Sequence, residues 1–266
     1  MKYENRIVLF LDILGFRSIV DQTVEGEIDK SDEIDILYSN LNYIEEFFSH
    51  KLVGGKLSAT ITQFSDSIII SFSVEESKLL IKLIETIQEF VMHLIYNNLL
   101  CRGAISFGKL IHTDRIVFGP ALNDAYETET KAALYPRVIL DRTVIDVVRK
   151  NRKTEKLLFG GIKSPKQYFF SCLKKDTDDK YYVDYFPTNI LLLSDRLDII
   201  EYLKNLRRLI VNGGKSNKPD LKVKYGWMKN KYNRLLTRLG TVTFPIELTS
   251  KIPQFYKFLN ETPPLK

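Results

Sequence analysis

The stretch that most limits how this chain can fold is Arg6–Phe16, RIVLFLDILGF. Ile7 to Leu11 is continuously apolar. It is too short for a buried helix and rich enough in β-forming residues for a buried strand. The run ends on an acid, Asp12, and Gly15 follows three residues later. A desolvated carboxylate at the end of a strand needs a partner, so Asp12 either caps the next helix or binds a cation. Thr62–Ile70, TQFSDSIII, repeats the arrangement, with Asp66 in a tight turn beside an apolar strand.

After a short polar stretch, Ile34, Leu37, Tyr38, Leu41, Ile44, Phe47 and Phe48 recur at helical spacing and predict a helix over 32–49. Gly54-Gly55 breaks it. Leu57, Ala59 and Ile61 alternate as a strand, Ser65-Asp66 is the turn, and Ser67–Phe72 is the return strand. A second long helix spans about 76–97, and Cys101–Gly108, CRGAISFG, is a fourth strand. Strand, helix, hairpin, helix, strand is the β-α-β-β-α-β order of a ferredoxin-like or palm-like sheet. The fold class is therefore α+β, with an antiparallel-rich sheet. This connectivity carries the hairpin tip, the end of the first strand and the start of the fourth to one edge. Asp12, Asp66 and Arg102 should meet there. Two gathered carboxylates repel unless a cation lies between them, and oxygen donors suit Mg²⁺ or Mn²⁺. Gly15 allows a close backbone approach to phosphate, and the helix after it offers free N–H groups. Together these point to two-metal phosphoryl or nucleotidyl transfer.

Further on, Gly119 precedes Pro120 at the first position of a helix, and Asn123, Tyr126 and Thr130 share one of its faces. Val138–Leu140 reads as a strand, with Gln167–Cys172 and Tyr181–Tyr185 as edge strands. Lys163 and Lys166 flank Pro165 in a turn. Leu197–Leu209 and Lys222–Leu239 read as helices, the second carrying Trp227 among aromatics assigned to packing. Residues 241–266, with Pro245, Pro253 and Pro263-Pro264, read as a tail. Residues 1–190 are thus expected to form the catalytic domain, and 191–266 a helical extension packed on that core or bracing a dimer.

Charge is uneven. Net charge is +6, yet residues 201–240 hold eleven Lys/Arg against Glu201 and Asp220, a local +9 that leaves −3 elsewhere. Nucleic-acid binding is one meaning of such a segment; a solvated helical face or a positive field for a phosphorylated ligand is preferred. No apolar run approaches the roughly 18 residues that span a bilayer, and MKYENR lacks the apolar core of a signal peptide. Cys101 and Cys172 are too few for a disulfide framework or zinc site, so a cytoplasmic, reduced protein is expected. His50, His93 and His112 lack metal-ligand spacing. Gly54-Gly55-Lys56 is no P-loop, because His50 and Leu57 stand where that motif needs Gly and Ser/Thr. Ala104–Gly108 nearly spells a nucleophile elbow but sits in a strand.

Four of these blocks carry a resemblance. Asp12 in FLDILGF, Asp66 in FSDS, Arg102–Gly108 as RGAISFG, and Gly119–Asn123 before a helix resemble the signature blocks of class III nucleotidyl cyclases, in that family's order, over about residues 5–170. The resemblance implies that Asp12 and Asp66, with the Ile13 carbonyl, hold two Mn²⁺ or Mg²⁺ ions. It places Gly15, Phe16, Arg17 and Thr62 beside the substrate, and it implies a homodimer in which Asn123 of a second subunit orients the ribose or the transition state. The reaction would be attack of the ribose 3′ hydroxyl on the α-phosphate, with loss of pyrophosphate.

Two departures stand out. Adenylate cyclases place Lys where this chain has Thr62, and Arg where it has Glu127; Arg102, Arg17 and Arg115 are the candidate replacement cations. Ala121–Tyr126 (ALNDAY), Tyr135–Val138 (YPRV), Tyr181–Tyr185 (YYVDY) and Lys224–Asn233 (KYGWMKNKYN) resemble the pyrimidine cyclases of bacterial Pycsar antiphage systems. That implies cyclic UMP or cyclic CMP made from UTP or CTP, with UTP favoured, and a separate effector that senses the product in antiviral defence. No membrane partner is expected. Two readings stay beside it: a catalytically silent cyclase-like module that binds nucleotide or a partner, supported by Glu127, and a polymerase-like or nucleic-acid-binding palm, supported by the basic segment.

Overall fold

β1 (Glu4–Leu14) runs through the middle of a mostly antiparallel sheet in a computed structural model that describes residues 2–52, 59–73, 77–150, 172–186, 198–241 and 252–266. The chain continues through α1 (Phe16–Asp21), a small hairpin of β2 (Val24–Glu25) and β3 (Ile28–Asp29), α2 (Ser31–Leu52), β4 (Ala59–Phe64), β5 (Ser67–Ser73), α3 (Ser77–Tyr96) and β6 (Leu100–His112). After these come β7 (Val117–Phe118), α4 (Pro120–Ala132), β8 (Val138–Leu140), α5 (Arg142–Lys150), β9 (Leu173–Lys175) and β10 (Tyr181–Val183). Three helices close the chain: α6 (Ile199–Gly214), α7 (Pro219–Leu239) and α8 (Ile252–Glu261). The sheet order is β4-β5-β1-β6-β8-β10-β9, with β7 added to the end of β6. Its first four strands have the ferredoxin-like order, and only the β6–β8 pairing is parallel among the described strands.

Both faces of β1 are covered, which is why its sequence is apolar without alternation. Ile7, Leu9, Leu11 and Ile13 face the main core with Ile68, Ile70 and Phe72 of β5 and with Ile44, Phe48, Leu83, Ile87 and Phe90 from α2 and α3. Val8 and Phe10 face the other way, against Leu110 and against Ala121 and Ala125 of α4. Burying each such side chain stabilises the fold by about 1.5–3 kcal/mol.

The register of β6 explains its small residues. Arg102, Ala104, Ser106 and Gly108 pair with Asp12, Phe10, Val8 and Arg6, so all four lie on the α4 side. Small side chains let the helix settle close to the strand, and Ser106 Oγ donates to the Ala121 carbonyl at 2.5 Å. Gly119 starts α4 at φ 149, and a β-carbon there would lie 2.6 Å from the Lys109 carbonyl oxygen, so only glycine fits.

The C-terminal helices share the main core. Tyr202 Oη donates to the Tyr185 carbonyl at 2.6 Å and Asn205 Nδ2 to the Tyr96 carbonyl at 2.9 Å. The Trp227 ring stacks on Tyr135, 5.3 Å between centroids and 7° between planes. Trp227 therefore packs, as its surroundings in sequence suggested.

Three expectations need correction. Tyr181–Val183 is internal, between β8 and the true edge strand Leu173–Lys175; residues 167–171 lie outside the described residues, as do Gly54-Gly55, Leu57, Lys163, Lys166 and Leu197. The supposed tail contains α8, whose Phe255 is buried, and Asn233 grips Leu265 through Nδ2 to its carbonyl and Oδ1 from its N–H, at 2.9 and 2.8 Å. α7 likewise begins three residues earlier than its apolar spacing indicates. In both helices a proline, Pro219 or Pro253, stands in the first turn, which has no intrahelical bond for proline to lose. Among the described residues no helix is long and apolar enough to cross a membrane.

Candidate active site

β1 delivers Asp12 to the edge of the sheet between Ser67 of β5 and Arg102 of β6. The turn joining β4 to β5 holds Ser65 in the left-handed region at φ 56 and presents Asp66 at the same edge. The Ile13 N–H donates to the Asp66 carbonyl at 2.9 Å. Asp12 and Asp66, 54 residues apart, are thus neighbours through the β1–β5 register. Asp12 does not cap α1: Gly15 holds that position at φ 75, with no side-chain cap.

Arg102 Nε donates to Asp12 Oδ2 at 2.9 Å. Glu129 Oε1 lies 2.7 Å from the same nitrogen, yet that nitrogen carries one proton and spends it on Asp12. Oε1 is buried without a hydrogen bond among the described residues. Burial pushes the Glu129 carboxyl above its usual range, against the opposing pull of Arg102 and Thr130. Beside them, burial and then the charge of Asp12 push the Cys101 thiol up to about 12, so it is a packing group and not a nucleophile.

Glu129 is the member that sequence reading missed. Ala121, Ala125 and Glu129 stand four apart on the sheet side of α4, and all are buried. Extending the apolar row by one more step would have found an acid on the buried face.

The other expected residues fall in different places. Phe16 packs partly against the core, whereas Arg17 is exposed and approaches Asp21, at 4.0 Å. Thr62 Oγ1 is bonded to His112 Nε2 at 2.9 Å. Arg115 follows the far end of β6, about 30 Å along the strand from Arg102, because that strand runs on to His112 and does not stop at Gly108. Within one chain Arg115 is therefore not at this edge. Asn123 and Tyr126 sit on the exposed face of α4, and Asn123 lies six residues, about 9 Å, before Glu129. One chain thus does not bring Asn123 to the two aspartates. Glu127 is exposed and paired with Lys131 one turn on, so its charge is not aimed at Asp12.

The donors at this edge are two carboxylates and main-chain carbonyls. Among the described residues no group of three or more His, Cys, Asp or Glu side chains gathers as a metal-binding cluster.

No protein-family model matches the chain, and no curated protein does. Among solved structures it is similar to the adenylyl cyclase CyaB from P. aeruginosa, with TM-score 0.44 and 17% identity over 57% of this chain and 83% of that one. It is similar to an adenylate/guanylate cyclase/hydrolase from Silicibacter pomeroyi, with TM-score 0.42 and 13% identity over 69% and 99% of the two chains. A bacterial light-regulated adenylyl cyclase overlaps with TM-score 0.38 and 17% identity over 56% and 82%. At this degree of overlap the likenesses carry no argument about the chemistry of this chain.

Proposed function

We propose that the protein is a class III nucleotidyl cyclase that converts a pyrimidine nucleoside triphosphate, UTP before CTP, to its cyclic monophosphate and pyrophosphate, as a second messenger in antiviral defence. The observation that supports this best is the meeting of Asp12 and Asp66 at one end of the sheet, tied by the Ile13–Asp66 main-chain bond. Two carboxylates and a carbonyl are hard oxygen donors, too few to enclose an ion alone. Mg²⁺ and Mn²⁺ accept such partial cages, completing their shell with water and substrate phosphate. Asp12, Asp66 and the Ile13 carbonyl would hold them. When bound, these ions make the ribose hydroxyl more acidic and neutralise charge growing on the phosphates.

The chain's own groups do the rest. Arg102 stands between Asp12 and Glu129 and is the cation best placed to meet the α-phosphate once Asp12 turns to a metal. Glu129 keeps its guanidinium at the edge. Gly15 leaves the backbone open at φ 75, with nothing within 4 Å of where a side chain would begin, so a phosphate can approach the main chain. Asn123 would come from a second copy and orient the ribose, since in its own chain it lies away from the aspartates.

The second reading, a silent nucleotide-binding module, is favoured by the hydrogen bond that already occupies Asp12 Oδ2. Incubation with each of the four nucleoside triphosphates and Mn²⁺ separates them. The cyclase reading expects cyclic UMP or cyclic CMP with pyrophosphate, and a loss of at least about a hundredfold in Asp12→Ala or Asp66→Ala. Mixing Asp12→Ala with Asn123→Ala should restore activity through one intact shared site. Absence of product with every triphosphate sinks the cyclase and leaves the silent module.

A further inference from the structure

Along the sheet from Asp12, where β10 and β9 follow β6 and β8 in the strand order, cations from two elements line one cleft of about 120 Å³. α7 sets Lys231, Arg234 and Arg238 along one face, at intervals of three and four residues. β9, the edge strand, sets Lys174 and Lys175 against them. Tyr182, Asp184, Phe186 and Leu235 complete the cleft.

The charges here are poorly balanced. Asp176 lies 2.7 Å from Lys231 Nζ, and Asp179 lies 2.6 Å from Lys175 Nζ. Among the described residues no carboxylate makes an ion pair with Lys174, Arg234 or Arg238. Asp184 is the only acid among the described residues that lines the cleft, and it is 2% exposed. Burial raises its carboxyl above the usual range, against the pull of Lys174, Lys231 and Arg238, which weakens it as a counter-charge.

The site is also partly built in advance. Lys231 Nζ is held 5.0 Å from the Tyr182 ring centre and 5.3 Å from that of Trp227. Two guanidinium forks and three ammonium groups, one of them held in place, around a small cleft suit the several oxygens of linked phosphates. A nucleic acid would call for a basic track along the surface instead, which a small cleft between a strand and a helix does not provide.

We propose that this cleft binds an oligophosphate anion, either free pyrophosphate or the phosphate chain of a nucleotide, at a site separate from the Asp12 edge. The assignment does not rest on the cyclase reading. It follows from the converging cations alone, and it gives part of the basic 201–240 segment a ligand.

Trp227 is the only tryptophan in the chain and neighbours Lys231, so its fluorescence reports on the cleft directly. The full-length protein is titrated with tripolyphosphate in EDTA, which denies any divalent ion to Asp12 and Asp66. A saturable, salt-sensitive change with one site per chain by calorimetry is expected. Arg234→Glu and Arg238→Glu, both at exposed positions, should each weaken it about tenfold or more, while Asp12→Ala leaves it intact. Pyrophosphate and UTP titrated in parallel identify the source: equal binding per phosphate means only the phosphate chain is read, and tighter UTP means a nucleotide. No saturable change at millimolar tripolyphosphate overturns the proposal. So does a signal lost in Asp12→Ala but kept in both arginine variants, or tight binding of single-stranded RNA with none of tripolyphosphate.

Discussion

At Asp176 three side-chain donors converge on one buried carboxylate, Arg137 Nη1 at 2.6 Å, Lys231 Nζ at 2.7 Å and Trp227 Nε1 at 2.8 Å, and the Thr177 N–H adds a fourth bond at 2.9 Å. Arg137 also grips Asp178 with both terminal nitrogens. At Asp12 a single N–H of Arg102 stands between two carboxylates and bonds only one of them. Both clusters use the same chemical groups. In the first both oxygens of the Asp176 carboxylate are paired, and the one buried atom without a hydrogen bond among the described residues is a donor, Arg137 Nε, as befits a structural lock. In the second, acceptor oxygens remain free at a half-exposed edge, which is the condition of a site awaiting a cation or phosphate. The two are linked, because the N–H of Gly103, next to Arg102, donates to the Arg137 carbonyl at 3.1 Å. The lock thus pins the strand that carries Arg102.

The largest effect that would break this contrast is Arg137→Met. Its side chain is fully buried and leaves two acids behind. Loss of a buried ionic partner costs about 3–5 kcal/mol, read as a fall in the urea midpoint. A cost below about 1 kcal/mol would mean that the cluster is no lock. Arg102→Met should cost less, about 1–3 kcal/mol, because Arg102 and Asp12 reach solvent and only Glu129 is stranded. Adding Glu129→Gln to Arg102→Met should recover most of that loss, since it removes the stranded charge. If the double variant is as unstable as Arg102→Met alone, Glu129 is not the residue that Arg102 neutralises.

How much of this could be read from the sequence differs between the clusters. The Asp12–Asp66 edge was legible because hydrophobic runs fix strand direction, and direction alone carries two strand ends together. Arg102 followed from the same count. Glu129 did not, because a charge in an amphipathic helix is assigned to water by default, and only the depth of α4 against small β6 residues buries it. The position of Arg115 was not legible for a related reason. Lys109 and His112 interrupt the apolar pattern, yet β6 continues through them. Of the Arg137–Asp176–Trp227 lock, the sequence showed only the separate blocks that hold Arg137 and Trp227, and Asp176 stood in neither. Their meeting depends on β10 lying between β8 and β9, an order that no local pattern encodes.

The smallest expected effect concerns a third polar group, which lies on the same sheet face as Asp12 but at its other end. His112 Nδ1 meets Ser71 Oγ at 2.8 Å and Nε2 meets Thr62 Oγ1 at 2.9 Å, while Arg6 Nε donates to the same Ser71 oxygen at 2.8 Å. The tautomer that uses each group once has Nδ1 accepting from Ser71 and Nε2 donating to Thr62, an assignment made from the network. Burial, then the charge of Arg6, lowers the imidazole from 6.5 to about 4; Glu4, the nearby acid, is itself paired with Arg6. The folded state therefore keeps His112 neutral where the unfolded chain protonates it. Stability from this group is present above pH 6.5 and is lost as pH falls from 6.5 towards 4. Glu129, Asp124 and Asp184, whose carboxyls are raised, act with the opposite sign, so only the difference between variants isolates the histidine. His112→Gln should flatten the decline in urea midpoint across that window, by well under the ~1.4 kcal/mol per pH unit of one full proton. Parallel curves for the two proteins would mean that His112 titrates freely, and that the Ser71–His112–Thr62 chain joining β5, β6 and β4 does not hold it.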